Sequence, residues 1–505
     1  MMLLSKVMQE YADKYSAHLA LKTGSAKQEA DPVVIDAGYN SETVAKDWLF
    51  CCIAGERTDG HDFAPEALEK GASALLTQRP LDLDIPQILS SDVRRDMGRL
   101  SSIIHGEPSS RLRMFAVTGT NGKSTTTWIM RHLLESLDMR PGLIGTVVYN
   151  DGVEEVDAGR TTPESCDIQR LLASMVRNGC DSCVMETSSH GLDLGRVEGC
   201  LFDSAVFTNL SEEHLDYHET LEGYFSAKAR LFAGYMKETW AGAANMDDRY
   251  ARRLMDLYPE RFLSFGLGNG NSVDVHGEDP ACSLDGTRFT LTLKSIASPF
   301  SSFIPLPGVF NVYNALAALA AVLPYSYDGK ALAGALSGMV QVPGRMEKIS
   351  LENGVRCIVD FAHTPEALRN VLTELRRLCD GRVISVFGHG GERFQPNRFS
   401  LGKIASDLAD EIIVTMDNPR NEPPEQIAAQ IVEGIAASER KTSHRTILDR
   451  KAAVYEALDS AKPGDVVAVT GKGPEKYLCI GDESFPYSDV GAINSWALER
   501  GVGVL

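Results

Sequence analysis

No stretch of the 505 residues approaches the ~20 consecutive apolar positions that carry a helix across a bilayer. The first residues, Met1 to Lys22, lack the unbroken apolar core of a signal peptide. They alternate apolar positions with Lys6, Glu10, Asp13 and Lys14, which predicts a short amphipathic helix. Basic charge is scarce: Lys plus Arg total 50 against 69 for Asp plus Glu, a net charge of −19. Such a chain has no general attraction for phosphate backbones, so nucleic-acid binding is not expected, and an anionic substrate must meet a local basic site. The 10 cysteines follow no regular spacing, which argues against a disulfide framework and for reduced thiols in a cytoplasmic protein. Internal repeats and low-complexity tracts are absent as well. With 43% hydrophobic and 24% charged residues the chain is globular, and its length suggests about three domains.

The patterning that is present is α/β throughout. Lys46–Gly55 and Ala72–Thr77 read as strands with a helix, Ala64–Gly71, between them. At Arg113 the pattern changes. An apolar strand, Met114–Thr118, runs through a glycine-containing turn into a helix from Ser124 to about Leu137. Helices Cys166–Asn178, Leu221–Tyr235 and Leu316–Val322 follow, with strands Ser182–Glu186, Ser204–Thr208 and Arg288–Leu293 and a turn at Gly266–Asn271. From about Pro343, strands Cys357–Phe361, Arg382–Phe387, Glu411–Thr415 and Val466–Thr470 alternate with helices as a doubly wound unit. The expected domains are 1–112, 113–342 and 343–505.

The strongest motif is Thr118-Gly-Thr-Asn-Gly-Lys-Ser-Thr125 between a strand and a helix. Gly119 and Gly122 let backbone N–H groups turn toward phosphates, Lys123 adds a cation, Ser124 can ligate Mg²⁺, and the helix N-terminus adds its dipole. Val117 stands where a strict phosphate-loop pattern has glycine. Glu186, closing a strand in Val184-Met-Glu-Thr-Ser-Ser-His-Gly191, sits where open α/β sheets place ligands and suits a Mg²⁺-linked role. Thr208-Asn-Leu-Ser-Glu-Glu-His-Leu-Asp-Tyr-His218 follows another strand and puts His214 and His218 at i, i+4 on one helix face. Without the glutamate of H-E-x-x-H, a histidine aiding a Mg²⁺ site fits better than a zinc protease. Cys180-Asp-Ser-Cys183 lacks a second cysteine pair and reads as two small residues entering a buried strand. Lys228 by itself reads as a solvated helix lysine. In the last region four strands end in polar or glycine-rich loops: Asp360-Phe-Ala-His-Thr364, Gly388-His-Gly-Gly-Glu-Arg393, Asp417-Asn-Pro-Arg420 and Gly471-Lys-Gly-Pro-Glu475. A crevice carrying Arg393, Arg420, Lys472 and Glu475 suits a zwitterionic or diamino acid.

Together these segments, with Gly344-Arg-Met-Glu347, occur in the order seen in Mur ligases, and the chain resembles the MurE type over nearly its whole length. The resemblance implies three α/β domains: an N-terminal domain for the UDP end of the substrate, a central phosphate-loop ATPase domain, and a C-terminal Rossmann-like domain for the acceptor. It implies ATP-dependent joining of a diamino acid to the D-glutamate of UDP-N-acetylmuramoyl-L-alanyl-D-glutamate through an acyl phosphate, in peptidoglycan precursor synthesis, by a monomer. It places Gly119, Thr120, Asn121, Gly122, Lys123, Ser124, Thr125, Asn311, Asn314, Arg345 and Asp360 at ATP. Lys123, Glu186, His214 and Lys228 become catalytic residues. Lys228 corresponds to a lysine that CO₂ converts to a carbamate, and this carbamate ligates Mg²⁺ with Ser124, Glu186 and His214. Ser41, Thr161, Thr162, Ser188 and Arg196 correspond to contacts with the muramoyl-peptide. Arg393, Asp417, Asn418, Pro419, Arg420, Gly471 and Glu475 correspond to contacts with the acceptor, and Asp-Asn-Pro-Arg is the form associated with meso-diaminopimelate. The chain departs from the family at Glu42, beside the UDP site, and at Leu194, Phe394 and Pro474, and these last three leave lysine and ornithine as alternative acceptors. A folylpolyglutamate synthase-like ligase and a precursor sensor without turnover are the competing readings.

Overall fold

The computed structural model describes residues 1–22, 31–55, 58–268, 273–296, 298–326 and 328–505. The end of the turn expected at Gly266–Asn271 lies outside them. The chain forms two compact units: Met1–Glu278 with Thr290–Phe300 and Tyr313–Leu336, and Asp279–Phe289 with Ser301–Val312 and Ser337–Leu505.

The first unit begins with the expected amphipathic helix, α1 (Leu4–Tyr15), which buries Leu4, Val7 and Tyr11 at helical spacing. Strands β1 (Ala20–Lys22), β2 (Asp36–Gly38), β3 (Trp48–Cys51), β4 (Ala74–Thr77) and β5 (Gln87–Leu89) form a sheet ordered β1-β5-β4-β3-β2. Of the apolar run Lys46–Gly55, only Trp48–Cys51 pairs as a strand. Helix α2 (Val93–Ile104) starts at Asp92, whose carboxylate accepts from Arg95 N–H at 3.1 Å.

A second sheet of this unit carries β6 (Arg113–Thr118), β7 (Pro141–Ile144), β8 (Val148–Asn150), β9 (Glu155–Asp157), β10 (Ser182–Glu186), β11 (Phe202–Phe207), β12 (Met236–Asn245) and β13 (Phe262–Gly266). Their order is β9-β8-β7-β10-β6-β11-β12-β13. From β7 to β13 the pairs are parallel, and strands covered on both faces read as continuous apolar runs, as in Met114-Phe-Ala-Val117. Helices α3 (Lys123–Glu135), α4 (Ser165–Arg177) and α5 (Leu221–Gly234) connect them. Register sets the site: Glu186 pairs with Val117 and Phe207 with Thr118, so the loops after β10, β6 and β11 emerge side by side.

In the second unit, β14 (Glu347–Ser350), β15 (Arg356–Asp360), β16 (Val383–Phe387), β17 (Glu411–Val414), β18 (His444–Thr446) and β19 (Val466–Thr470) are ordered β14-β15-β19-β16-β17-β18. Only β14 runs antiparallel. Alternate residues feed two cores. Val383, Phe387, Ile412 and Val414 pack on one face, while Ile384, Val386, Ile413 and Val467 pack on the other. Helices α6 (Pro365–Leu378), α7 (Pro396–Leu408), α8 (Pro424–Ala436), α9 (Arg450–Ser460) and α10 (Asp489–Arg500) cover the sheet. A hairpin, β20 (Tyr477–Ile480) with β21 (Glu483–Pro486), follows β19. Asp360 and Phe387 both pair with Thr470, and Phe387 pairs with Val414, so the four polar loops leave neighbouring strands at one level. Among the described residues no helix is long and apolar enough to cross a membrane, and all ten cysteines are free thiols.

Candidate active site

The phosphate-type loop of the first unit turns on two glycines in the left-handed region, Gly119 at φ 141° and Gly122 at φ 87°. A side chain at Gly119 would collide with Thr208 Oγ1, and one at Gly122 with Asn314 Oδ1. The loop after β11 clamps it: Asn209 Oδ1 accepts from Asn121 N–H at 3.0 Å, and Thr208 Oγ1 donates to the Asn121 carbonyl at 2.8 Å. Lys123 Nζ donates to the carbonyls of Gly119 (3.1 Å) and Thr120 (2.7 Å). Lys228 Nζ, from α5, reaches the same Gly119 oxygen at 2.7 Å.

Lys228 is 1% exposed, which overturns the solvated-lysine reading of its helix. Its neighbours on α5, Tyr224, Phe225, Leu231 and Phe232, are apolar or aromatic and buried, and Nζ lies 4.4 Å from the Tyr224 ring centre. Burial holds the ammonium well below its ordinary range, the Lys123 charge adds to that effect, and Glu213 opposes it.

Glu186, also 1% exposed, joins the loop to its surroundings. It accepts from Ser124 Oγ at 3.1 Å, Thr146 N–H at 2.8 Å and Thr146 Oγ1 at 3.0 Å. Thr146 Oγ1 in turn lies 3.0 Å from Thr161 Oγ1. Thr162 Oγ1 donates to the Glu186 carbonyl at 3.0 Å and approaches Ser188 Oγ at 3.1 Å, while Arg196 Nη1 donates to the Thr162 carbonyl at 3.1 Å. Residues expected at phosphate and residues expected at the peptide thus share one hydrogen-bonded network. Arg196 is steadied by buried Glu164, 3.1 Å from its Nε, and Glu164 also pairs with Arg94 (3.0 Å) and Arg160 (2.7 Å). Ser41 stands apart, donating to Glu66 at 2.8 Å in the N-terminal sheet region.

His214 does not share a helix face with His218. It precedes the short helix Leu215–His218 with φ 56°, a left-handed conformation that ends the regular spacing. Its ring instead stands edge-on to His190 at 4.8 Å, in an aromatic group with Tyr224 and His218. Desolvation by the groups around it lowers His214 to about 4, against the opposing pull of Glu213. Among the described residues no three His, Cys, Asp or Glu side chains are grouped to hold a metal. Ser124 and Glu186 do offer hard oxygen donors beside a phosphate-type loop. This fits Mg²⁺, which takes one or two carboxylates and completes its shell with water and substrate phosphate.

In the second unit, Asp360 accepts from the Met346 and Ala362 N–H groups at 2.7 and 2.8 Å. Burial raises its carboxyl pKa, opposed by Arg345, whose guanidinium lies over the Phe361 ring at 4.9 Å. Asn311 Nδ2 donates to the Pro307 carbonyl at 2.8 Å. Around the Asp-Asn-Pro-Arg loop, wholly buried Lys472 donates to Asn418 Oδ1 (3.0 Å) and Glu475 Oε2 (2.8 Å) and lies 3.7 Å from Asp417. Lys472 is thus a brace between two loops rather than an open cation. Asn418 Nδ2 also donates to Glu475 at 2.9 Å. Arg420, at φ 51°, donates from Nη1 to the Gly391 carbonyl at 2.6 Å. Arg393 is exposed, and the arms of Arg393 and Arg420 flank Gly390.

Sequence reasoning missed several residues that hold these loops. Thr146 lies in a turn of unremarkable composition. Hairpin β20–β21 hydrogen-bonds the Arg420 backbone, through Cys479 O at 3.3 Å and Gly481 N–H at 2.8 Å. Arg398 is 1% exposed and bridges Glu422 (2.8 Å), Gln430 (2.8 Å) and the Gly390 carbonyl (3.4 Å). A helical arginine in sequence gives no sign that it points inward.

Three family descriptions match the chain: "Mur ligase family, catalytic domain" at residues 37–103, "Mur ligase middle domain" at 117–322, and "Mur ligase, glutamate ligase domain" at 344–473. The chain is 38% identical over 467 residues to the UDP-N-acetylmuramoyl-L-alanyl-D-glutamate–2,6-diaminopimelate ligase of Bacillus licheniformis, covering 91% of this chain and 94% of that one. It is 39% identical over 476 residues to the protein of the same name from Geobacillus kaustophilus, covering 93% and 96%. A solved structure of a ligase of that name superposes with a TM-score of 0.64 at 32% identity, covering 93% of this chain and 95% of that one.

The depressed Lys228 pKa has a measurable consequence. When the folded pKa lies below the unfolded one, the unfolded chain binds more protons between the two values, so stability rises with pH through that interval. In buffer purged of CO₂, the unfolding free energy of the wild type should rise more steeply from neutral toward alkaline pH than that of Lys228→Met. Equal slopes in pH-dependent denaturant titrations would contradict the buried-amine account.

Proposed function

The chain belongs to the Mur ligase family, and from that membership we propose that it is the ADP-forming ligase that joins meso-2,6-diaminopimelate to the D-glutamate of UDP-N-acetylmuramoyl-L-alanyl-D-glutamate. The observation that carries this is the network running from Ser124 through Glu186 and Thr146 to Thr161, with Thr162 and Ser188 on the Glu186 carbonyl. It ties a phosphate-type loop to a second polar surface, as a carboxylate-activating enzyme requires.

A carboxylate is a poor electrophile until one of its oxygens becomes a leaving group. In the first step a γ-carboxylate oxygen of D-glutamate attacks the γ-phosphorus of ATP, the bond to the β-phosphate oxygen breaks, and ADP leaves an acyl phosphate. In the second, the neutral acceptor amine attacks the acyl carbon. The tetrahedral intermediate loses phosphate, and the nitrogen gives up its proton as the amide forms. The loop N–H groups and Lys123 would hold the phosphoryl oxygens and offset their charge in transit. Glu186 would orient Ser124, and His214 would remain available as a donor. Bound Mg²⁺ would neutralise phosphate charge; Ser124, Glu186, His214 and a carbamate on Lys228 would hold it. Carbamate formation suits Lys228, because in its neutral form the nitrogen can attack CO₂ and release a proton, giving an anion that the neighbouring Lys123 charge and bound Mg²⁺ would offset. We assign Gly119–Thr125, Asn311, Asn314, Arg345 and Asp360 to ATP, and Ser41, Thr161, Thr162, Ser188 and Arg196 to the muramoyl-peptide. Arg393, Asp417–Arg420, Gly471 and Glu475 are assigned to the acceptor. Domains at 1–112, 113–342 and 343–505 each contain one family match. We further propose a cytoplasmic monomer, in keeping with its nucleotide substrates and free thiols.

Purified protein with ATP, Mg²⁺ and the UDP-muramoyl-dipeptide should release phosphate when diaminopimelate is added, and not with lysine or ornithine. Turnover only with lysine or ornithine would remove diaminopimelate as the acceptor; no turnover with any would favour a precursor sensor. Arg420, the discriminator of the distal carboxylate, gives a sharper expectation. Arg420→Ala should raise KM for diaminopimelate roughly ten- to a hundredfold, since a charged hydrogen bond is worth ~1.5–3 kcal/mol. An unchanged KM would show that this loop does not read the acceptor.

A further inference from the structure

We propose that Arg450, outside the residues assigned above, is a positioning residue that sets both acceptor loops at once. Arg450 is the first residue of α9, 1% exposed, and its guanidinium makes four hydrogen bonds. Two are a bidentate pair with Asp489, Nε to Oδ1 and Nη2 to Oδ2, both at 2.8 Å. The other two go to backbone carbonyls: Nη1 to Met416 O at 3.2 Å and Nη2 to Thr470 O at 2.9 Å.

Those carbonyls belong to the residues immediately before Asp417 and Gly471, where the two loops begin. A peptide unit is planar, so fixing the oxygen of Met416 fixes the N–H of Asp417, and fixing that of Thr470 fixes the N–H of Gly471. Gly471 N–H donates in turn to the Asp360 carbonyl at 3.0 Å, carrying the same alignment to the loop after β15. Asp489 is fully buried at the start of α10 and also accepts from Tyr487 OH at 2.9 Å, so the anchor itself cannot swing. A guanidinium directs donors along fixed in-plane directions, which an ammonium cannot reproduce. The donors left over by the ion pair are satisfied by the carbonyls at the bases of the two loops, so the guanidinium joins both loops to one buried anchor.

The role rests on the acceptor assignment of Asp417–Arg420 and Gly471–Glu475, so the test has one arm that needs turnover and one that does not. In steady-state assays with whichever acceptor the wild type uses, Arg450→Lys should raise acceptor KM about tenfold while KM for ATP and for the UDP-muramoyl-dipeptide stays within about twofold. Asp489→Asn keeps the guanidinium and both carbonyl contacts, and should give a smaller rise in the same constant; it serves also if Arg450→Lys does not fold. Combined with Arg420→Ala, Arg450→Lys should act less than additively, because both work through one loop. In hydrogen–deuterium exchange on the free protein, either Arg450→Lys or Asp489→Asn should speed exchange in Asp417–Arg420 and Gly471–Glu475 above the rest of the sheet. A uniform rise in all three KM values, full additivity with Arg420→Ala, or unchanged exchange in those loops would overturn the proposal. A wild type that turns over with no acceptor would count against the ligase reading, and the exchange result would still decide the role of Arg450.

Discussion

Two lysine side chains converge on one carbonyl oxygen: Lys123 Nζ stands 3.1 Å and Lys228 Nζ 2.7 Å from Gly119 O. Two ammonium groups so close repel each other, and burial of Lys228 adds to the cost of its charge, with Glu213 opposing both effects. Much of the first unit answers that constraint. In the function proposed above, a phosphate on the loop would meet the Lys123 charge and Lys228 would shed its own by becoming a carbamate. Gly119 and Gly122 let the loop curl, the Thr208–Asn209 clamp holds the curl, and buried Glu186 fixes Ser124.

The second unit solves a different problem, keeping loops from four strands in register. It does so with buried cations used as braces. Lys472 ties Asn418 to Glu475, Arg398 ties Gly390 to Glu422, and Arg450 ties Met416 to Thr470. Each is satisfied by several acceptors, as buried charges must be. Arg393 is exposed, and Arg420 is half-buried with its Nη1 on the Gly391 carbonyl.

Much of this was legible in the sequence. Parallel strands buried on both faces announce themselves as apolar runs, so Ser182–Glu186 and Val466–Thr470 were placed to the residue. The turn after β6 was legible because Gly119 and Gly122 take the left-handed backbone that glycine favours. What could not be read were the facts set by tertiary packing. Lys228 looks like a surface lysine because its helix carries charge on both sides, and only the packing around α5 shows its burial. His214 looks helical because four-residue spacing says nothing of a left-handed residue at the start of the turn. Arg398 and Arg450 carry no local sign that their side chains turn inward, since the acceptors they meet come from distant segments.

The central claim, that the crowding of amines at Gly119 O is relieved by converting Lys228 to an anion, can be observed directly. Protein equilibrated with ¹³C-enriched bicarbonate should show a protein-bound carbamate carbon resonance in the wild type that disappears in Lys228→Met. A fully active wild type without that resonance would contradict the account.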